Sequence, residues 1–188
     1  GGGAAPADGV AADEGGCEGD AAGGPPSVVV GGLPDTAVKE SRDRVTTAVA
    51  NGGYYWPRGR TTINLAPADI KKEGPSFDLP IALGMIAVSE ELDGSLFEKF
   101  SFVGELALNG AVRAVKGVLP VALEARRRGK EAIFVPEVNA HEAAMVEGIA
   151  VYGVQNLRQT FEFIRGETTM QPTRGDLTSF FESHQNHD

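Results

Sequence analysis

Residues 64–88 read NLAPADIKKEGPSFDLPIALGMIAV, and this stretch carries the most information about the fold. A strand delivers the chain to a polar loop, Asp69–Phe77, and the loop leads into the nearly all-apolar segment Leu79–Val88. We expect this segment to form a helix that Asp78 caps, with Pro80 in the first turn, where proline is tolerated. Because a helix that is apolar on every side needs cover on every side, the sequence predicts a central, buried helix.

The rest of the chain alternates between strand and helix periodicity, which predicts a mixed α/β or α+β sandwich with a partly parallel sheet. Asn109-Gly110 is a strong signal for a hairpin. The predicted strands are Ser27–Val30, Arg60–Ala66, Phe100–Leu108, Ala111–Val115, Ala132–Val135 and Ile149–Tyr152. The other predicted helices are residues 35–50, Gly117–Arg128, a short helix opened by a capping box at Asn139–Glu142, and a last helix opened by Asn156.

Composition divides the chain into three parts. Residues 1–26 are rich in Gly and Ala, carry five acidic residues and no basic one, and supply more than half of the net charge of −9. Such a segment buries too little apolar surface to offset its chain entropy, so we expect a flexible leader or a poor edge strand. Residues 27–166 form the predicted globular domain, and residues 167–188 form a polar tail.

The sequence also lacks the features of several function classes. No run of about 18 apolar residues is present, so we expect no membrane span. The single cysteine, Cys17, allows neither an intrachain disulfide nor a cysteine-built metal site, and it fits a reducing, cytoplasmic location. No G-x-x-x-x-G-K-S/T motif occurs, so we expect this chain to bind no ATP through a P-loop and to hold no cofactor or metal. The acidic balance argues against general nucleic-acid binding.

Ser76 is the candidate nucleophile, because it lies two residues before the predicted helix cap, near free N–H groups that stabilise anions. The alternative is that Gly74-Pro75-Ser76 only supplies the turn that starts the helix. A serine nucleophile needs a proton acceptor, and the histidines lie in the polar tail or, as His141, on a short surface helix. Lys116 is the candidate base, although nothing local predicts its burial.

For two groups of cations, we prefer a structural role over a role in binding. The basic run Arg126–Lys130 could contact phosphates, but cations in the last turn of a helix also complement its dipole. The helix over residues 36–50 interleaves cations with acids, which is typical of a solvated face with local ion pairs. The cations are Lys39, Arg42 and Arg44, and the acids are Glu40 and Asp43.

Several strings, in order along the chain, resemble the magnesium-chelatase-like AAA+ proteins of the ComM/YifB competence family. They are residues 32–42, GLPDTAVKESR; 64–74, NLAPADIKKEG; 77–84, FDLPIALG; 102–106, FVGEL; 117–120, GVLP; and 151–153, VYG. The resemblance covers about residues 25–166 and implies the amino-terminal, non-ATPase domain of such a protein. It also implies a ribosomal protein S5 domain 2-like fold, which that domain shares with the Lon protease domain.

An AAA+ module follows this domain in the family, so the resemblance implies ATP and Mg²⁺ for the parent protein, hexameric rings and a role in DNA branch migration. We therefore expect an excised piece of a cytoplasmic AAA+ ATPase, with no catalytic activity of its own. Its expected role is to contact DNA, a partner or neighbouring subunits. The best candidates for a basic contact patch are Arg58, Arg60, Lys71 and Lys72.

The likeness to Lon supplies the rival hypothesis, a serine peptidase. Residues 72–76, KEGPS, are similar to the segment that carries Lon's catalytic serine, with Ser76 at that position. A later segment is similar to the one that carries Lon's lysine, but Leu119 occupies the lysine position and cannot accept a proton. Lys116 lies about one helical turn away from this position. Asp78 replaces a small residue of the Lon pattern, and its negative charge disfavours an oxyanion beside Ser76.

Overall fold

The computed structural model describes residues 11–13, 27–31, 35–64 and 74–175, which form eight strands and six helices. The strands are β1 (Ala11–Asp13), β2 (Ser27–Gly31), β3 (Arg60–Asn64), β4 (Phe100–Phe102), β5 (Glu105–Leu106), β6 (Val112–Arg113), β7 (Ala132–Pro136) and β8 (Ala150–Val154). The helices are α1 (Asp35–Asn51), α2 (Asp78–Ser89), α3 (Ser95–Glu98), α4 (Val118–Arg127), α5 (Ala140–Ala143) and α6 (Leu157–Ile164), with 3₁₀ turns at Gly74–Phe77 and Glu137–Asn139.

The strands form two three-stranded sheets and one hairpin. In the first sheet β3 lies between β1, which is antiparallel to it, and β2, which is parallel to it. In the second sheet β7 lies between β4 and β8, and all three strands are parallel. β5 and β6 pair as an antiparallel hairpin. The predicted mixed α/β fold with a partly parallel sheet is therefore confirmed.

The central position predicted for the apolar helix is also confirmed. Every residue of α2 from Asp78 to Ala87 is buried. α1, α6 and one face of the second sheet, which includes Phe134, cover α2 and complete the larger core. Successive residues of a strand point to opposite faces, so Ile133 and Val135 belong instead to a second core, against α4 and α5. The second sheet thus has helices packed on both faces.

The predicted continuous strand Phe100–Leu108 is wrong, because the chain changes partner at Gly104. β4 ends at Phe102, and the Gly104 main chain then pairs with the entry to α2. Its N–H donates to the Ser76 carbonyl and its carbonyl accepts from the Leu79 N–H, both at 3.0 Å. A Cβ at Gly104 would lie 2.8 Å from Val112 Cγ1, so the absence of a side chain permits this close approach.

Of the two predicted asparagine caps, one is confirmed and one is wrong. Asn156 caps α6, and its Oδ1 accepts from the Gln159 N–H at 2.7 Å. Asn139 makes no capping bond; its amide group exchanges two hydrogen bonds with the main chain of Val115, at 3.0 and 3.1 Å. A tertiary contact has therefore taken the side chain that the capping-box pattern assigns to α5.

Parts of three predicted segments lie outside the described residues. These are most of the leader, the end of the strand predicted to reach Ala66 together with the loop to residue 73, and the tail beyond Gly175. The described start of the tail is attached to the domain: Met170 packs against the larger core, and the Thr173 N–H donates to the Val151 carbonyl at 2.7 Å. Within the described ranges, no helix combines the length and the apolar character that a membrane span requires. The three-part domain division stays a prediction.

Thr61 of β3 supplies a test of core packing. Its side chain is fully buried, and among the described residues its hydroxyl is the only buried side-chain group without a hydrogen-bond partner. Replacing a buried, unsatisfied hydroxyl by a methyl group of the same shape removes its desolvation cost. We therefore expect Thr61→Val to raise the free energy of unfolding by about 1 kcal/mol in denaturant titrations.

The neighbouring half-buried Thr62 gives the control for the Thr61 variant. Thr62→Val makes the same chemical change on the opposite face of the strand, so its effect should stay within about 0.5 kcal/mol. Destabilisation by Thr61→Val would show that the hydroxyl has a partner in solution.

Candidate functional site

The start of α2 is built differently from the predicted cap. The chain enters through the 3₁₀ turn Gly74–Phe77, and Phe77 occupies the N-cap position with helical dihedral angles (φ −87°, ψ −4°) and no side-chain capping bond. Asp78 is the first helical residue, and its side chain is fully buried. The prediction that Asp78 caps α2 is wrong, because its carboxylate binds groups of other elements.

The Asp78 carboxylate joins α2 to α1 and β5. Arg44 in α1 donates through Nε to Oδ2 at 2.8 Å and through Nη2 to Oδ1 at 3.1 Å. Ser41, in the preceding turn of α1, donates its hydroxyl to Oδ1. The Leu106 N–H in β5 donates to Oδ2 at 3.1 Å. All four donors converge on one buried charge, so the three elements are fixed relative to one another at the start of α2.

Arg44 does not lie on a solvated face with local ion pairs, so that interpretation is wrong for this residue. Its side chain is 26% exposed, and its hydrogen bond to Asp78 raises the pKa of the guanidinium above the ordinary value. A buried carboxylate is tolerated when it is paired and hydrogen-bonded, and Arg44 meets both conditions for Asp78. The negative charge expected to disfavour an oxyanion beside Ser76 is therefore compensated by a cation.

The candidate nucleophile and the candidate base differ in their exposure. Ser76 is only 4% exposed, and its carbonyl is paired with the Gly104 N–H. Lys116 is exposed in the loop before α4, and no hydrogen bond joins its side chain to that of Ser76. Leu119, at the expected lysine position, packs against the second core, whereas Phe77 beside Ser76 belongs to the larger one. Ser76 thus lies in a packed junction between the start of α2 and Gly104.

The candidate basic patch is only partly described. Arg58 is exposed in the connection from α1 to β3, and Arg60 is exposed at the start of β3. Lys71 and Lys72 lie outside the described residues. Arg58 lines a groove of about 430 Å³ whose other lining residues are Tyr55, Trp56, Pro57, Val88, Ser89 and Glu91. Trp56 also lines a second groove, of about 620 Å³, whose other lining residues are Lys39, Arg42, Asp43, Thr46 and Thr47.

Our sequence reasoning missed the aromatic side chains of this region. Tyr55 is 80% exposed, which is far more than its neighbours Tyr54 and Trp56, both of which are half-buried. The available signal was the string YYWPRGR over residues 54–60, where aromatic side chains precede two arginines. Aromatic and basic side chains in alternation are typical of surfaces that bind single-stranded nucleic acids.

The basic run Arg126–Lys130 is used within the domain, as the structural interpretation predicted. Glu124 accepts from Arg127 Nε at 2.8 Å and from Arg128 Nε at 2.9 Å. These bonds, with that of Arg127 the stronger, lower the pKa of Glu124 from 4.5 to about 2. Arg126 donates to the Glu147 carbonyl at 3.1 Å, and Lys130 donates to the Glu98 carbonyl. Arg127 and Arg128 thus pair within the end of α4, whereas Arg126 and Lys130 connect this end to other segments.

A metal site requires ligating side chains close together, and an ATP site of the P-loop kind requires its motif. Within the described ranges, no three His, Cys, Asp or Glu side chains come together as a possible set of metal ligands. The whole sequence lacks the P-loop motif that cradles phosphates and positions Mg²⁺. We therefore assign no ATP-dependent step to these residues.

Comparison with known proteins gives similarities over most of the chain. The family model described as "Subunit ChlI of Mg-chelatase" matches residues 17–139. The chain is 44% identical over 144 residues to Competence protein ComM of Haemophilus influenzae, an alignment that covers 77% of this chain and 28% of that protein. It is 43% identical over 157 residues to Uncharacterized protein YifB of Salmonella typhimurium, which covers 83% of this chain and 31% of that protein. The chain thus spans less than a third of the length of these relatives.

The likeness to Lon proteases is more distant. Lon protease 2 of Bacillus subtilis is 24% identical over 99 residues, which is 52% of this chain and 18% of that protein. The similarity to Lon that the KEGPS string suggested is therefore present, at lower identity than the similarity to ComM and YifB.

The ion pair at the start of α2 gives a stability prediction. Arg44→Met keeps the aliphatic packing of the side chain but leaves the buried Asp78 carboxylate without its counter-charge. Removal of one partner of a buried pair is strongly destabilising, and we expect a loss of about 3 kcal/mol in the free energy of unfolding, measured by denaturant titration.

The exposed Lys39 of the same helix provides the matched control for Arg44. Lys39→Met should change stability by about 0.5 kcal/mol at most. In a double-mutant cycle with Asp78→Asn, Arg44→Met should cost far less than it does alone. Additive losses would mean that the two side chains do not interact in solution.

Proposed function

Because this chain belongs to the family of Mg-chelatase subunit ChlI, we propose that it is a non-catalytic accessory domain of an AAA+ protein of the ComM/YifB type. In this role it contacts DNA, a partner or a neighbouring subunit and carries out no chemistry itself. The alignments cover less than a third of the length of these relatives, and we assign the activity of the whole protein to its other parts.

The observation that carries this proposal is the closed junction at the start of α2. The position of the candidate nucleophile is covered, since Ser76 is 4% exposed and its main chain is paired with Gly104. The charged groups beside it neutralise each other, because Arg44 binds Asp78 through two nitrogens. A catalytic serine has to be accessible and beside a base, so the burial of Ser76 supports a structural role.

Among the three kinds of contact, DNA is favoured. One relative is named a competence protein. Exposed cations are available at Arg58 and Arg60 for phosphate contacts, and Lys71 and Lys72 extend the basic character of this part of the sequence. We place the domain in DNA branch migration, as a surface that holds or guides the nucleic acid.

The other parts of the proposal concern the intact protein. ATP and Mg²⁺ belong to a separate AAA+ module, since no P-loop motif occurs in this chain. That module is expected to assemble hexameric rings in the cytoplasm, with the present domain as its neighbour in each subunit.

A salt titration of DNA binding tests the proposed contact. Fluorescein-labelled duplex DNA is titrated with the 188-residue chain at several salt concentrations, and binding is followed by fluorescence anisotropy. Each lost phosphate contact should reduce the slope of log affinity against log salt by about 0.9. We expect Lys71→Gln/Lys72→Gln to weaken binding and to flatten this dependence.

The control for the lysine pair is Arg113→Gln/Arg174→Gln, which removes the same charge from two exposed positions elsewhere. It should leave the slope close to that of the wild type. Absence of wild-type binding even at low salt would refute the DNA contact, and equal slopes for both double variants would remove Lys71 and Lys72 from it.

The likeness to Lon protease 2 makes a serine peptidase the second candidate, with Ser76 as nucleophile and Lys116 as base. The burial of Ser76 and the exposure of Lys116 lead us to expect no reaction with a fluorophosphonate probe, measured by in-gel fluorescence. Labelling that disappears in Ser76→Ala and in Lys116→Gln, but persists in the control Lys99→Gln, would instead establish the peptidase.

A further inference from the structure

We propose that the two grooves on either side of Trp56 form a binding surface for single-stranded nucleic acid. The inference rests on the proposed function and assigns its DNA contact to particular side chains. We call the region the Trp56 surface, and the side chains that carry the argument are Lys39, Arg42, Tyr55, Trp56, Arg58 and Glu91.

The aromatic side chains of this surface follow directly after α1. The helix is closed by hydrogen bonds from the Gly52 N–H to the Ala48 carbonyl and from the Tyr54 N–H to the Val49 carbonyl. Tyr54 then turns inward and meets Phe161 edge to face at a ring distance of 5.3 Å. Tyr55 points to solvent and is 80% exposed.

The Trp56 ring is held in position by its packing against the core and forms an aromatic platform for stacking. It packs in part against the larger core and also borders both grooves. Pro57 and Gly59, which follow it, are buried, so the connection to β3 is fixed. Because the ring is already ordered, a base can stack on it without the entropy cost of ordering a side chain. Such stacking tolerates any sequence, because every base has a π-face.

Cations lie on both sides of the aromatic platform. Lys39 and Arg42 line one groove with the carboxylate of Asp43, and Arg58 lines the other with the carboxylate of Glu91. Each groove therefore holds at least one exposed cation, Lys39 in one and Arg58 in the other, in a chain whose net charge is −9. Phosphates of a strand that crosses Trp56 would meet a cation in either groove, and the acids would be placed to accept from base amino groups.

The backbone at Glu91 belongs to the end of α2, where the Glu91 N–H donates to the Val88 carbonyl at 3.1 Å and the Leu92 N–H to the Ala87 carbonyl at 2.9 Å. Glu91 has φ +56°, and among the described residues it is the only non-glycine with a positive φ. It follows the end of α2, a position where glycine is common because a Cβ is disfavoured in the left-handed region. The Glu91 side chain lines the groove with Arg58.

The combination favours a single strand over duplex DNA. Bases in a duplex are stacked on one another and cannot reach Tyr55 or Trp56, whereas a single strand presents its bases and its phosphates together. The two grooves, of about 430 and 620 Å³, are within the range of about 300–1,000 Å³ found for ligand sites.

The sequence provides its own reporter, because Trp56 is the only tryptophan of the chain. The 188-residue protein is titrated with an oligo-dT strand, and tryptophan emission is recorded together with the anisotropy of a labelled strand. We expect the emission to change in parallel with binding. Tyr55→Ala should weaken binding about tenfold, and Arg58→Gln should reduce the slope of log affinity against log salt by about 0.7.

Matched variants separate the surface from general effects. Leu108→Ala removes another exposed apolar side chain, 56% exposed, and Arg113→Gln removes another exposed cation; neither residue lines the grooves. Both should bind the strand as the wild type does. Thermal unfolding of all four variants checks that the fold is retained, which is expected because each changed side chain is exposed.

The outcomes distinguish this inference from the proposed function. If the wild type binds DNA but the emission of Trp56 is constant and Tyr55→Ala binds normally, the Trp56 surface is wrong and the DNA contact stands elsewhere. If the wild type binds neither single-stranded nor duplex DNA, the DNA contact itself fails. Tighter binding of duplex than of oligo-dT, without a change in emission, would also overturn the inference.

Discussion

The fold depends on one buried charge, the carboxylate of Asp78. A carboxylate in an apolar interior is unstable unless it is paired and hydrogen-bonded, and here Arg44, Ser41 and the Leu106 N–H together meet that requirement. The donors come from α1 and β5, so α2 can be buried only when both elements are already in place. A buried pair of this kind adds little stability over an apolar substitute, but it makes any arrangement without the partner costly. Its contribution is therefore to specify how these three elements meet.

The hydrogen bonds of Asp78 also affect what chemistry the start of α2 can support. A serine at the entrance of a buried helix has the local features of a nucleophile, since free N–H groups and the helix dipole favour an anion. In this chain the same entrance is paired with Gly104 through Ser76 and Leu79 and is locked to α1 through Asp78. The features that favour reactivity are thus used to join secondary-structure elements. This use of the entrance is the physical basis of the accessory role that we propose.

The same helix that completes the junction also presents the proposed contact surface. The inner face of α1 carries Ser41, Arg44 and Val45, while its outer face carries Lys39 and Arg42 and lines a groove beside Trp56. Because Arg44 anchors α1 to α2, the outer face and the segment that follows the helix are held at a fixed orientation. A rigid scaffold beneath exposed aromatic and basic side chains suits the recognition of a flexible strand, since less order has to be imposed on binding.

The sequence by itself determined the features that depend on local periodicity and on end signals. The burial of α2, the bounds of α1 and α4 to within a residue or two, the cap at Asn156 and the mixed α/β class all follow from hydrophobic period and capping chemistry. The family resemblance extended this to the likeness with ComM and YifB.

Only the tertiary structure decided which distant groups become the partners of polar side chains and strands. Arg44 meets Asp78, Asn139 meets Val115, and the chain changes partner at Gly104. Each of these contacts joins residues at least 24 positions apart, and local pattern contains no information on which distant group will satisfy a polar atom. The exposure of Tyr55 has the same cause, because whether an aromatic side chain points outward depends on what the rest of the fold packs beneath it.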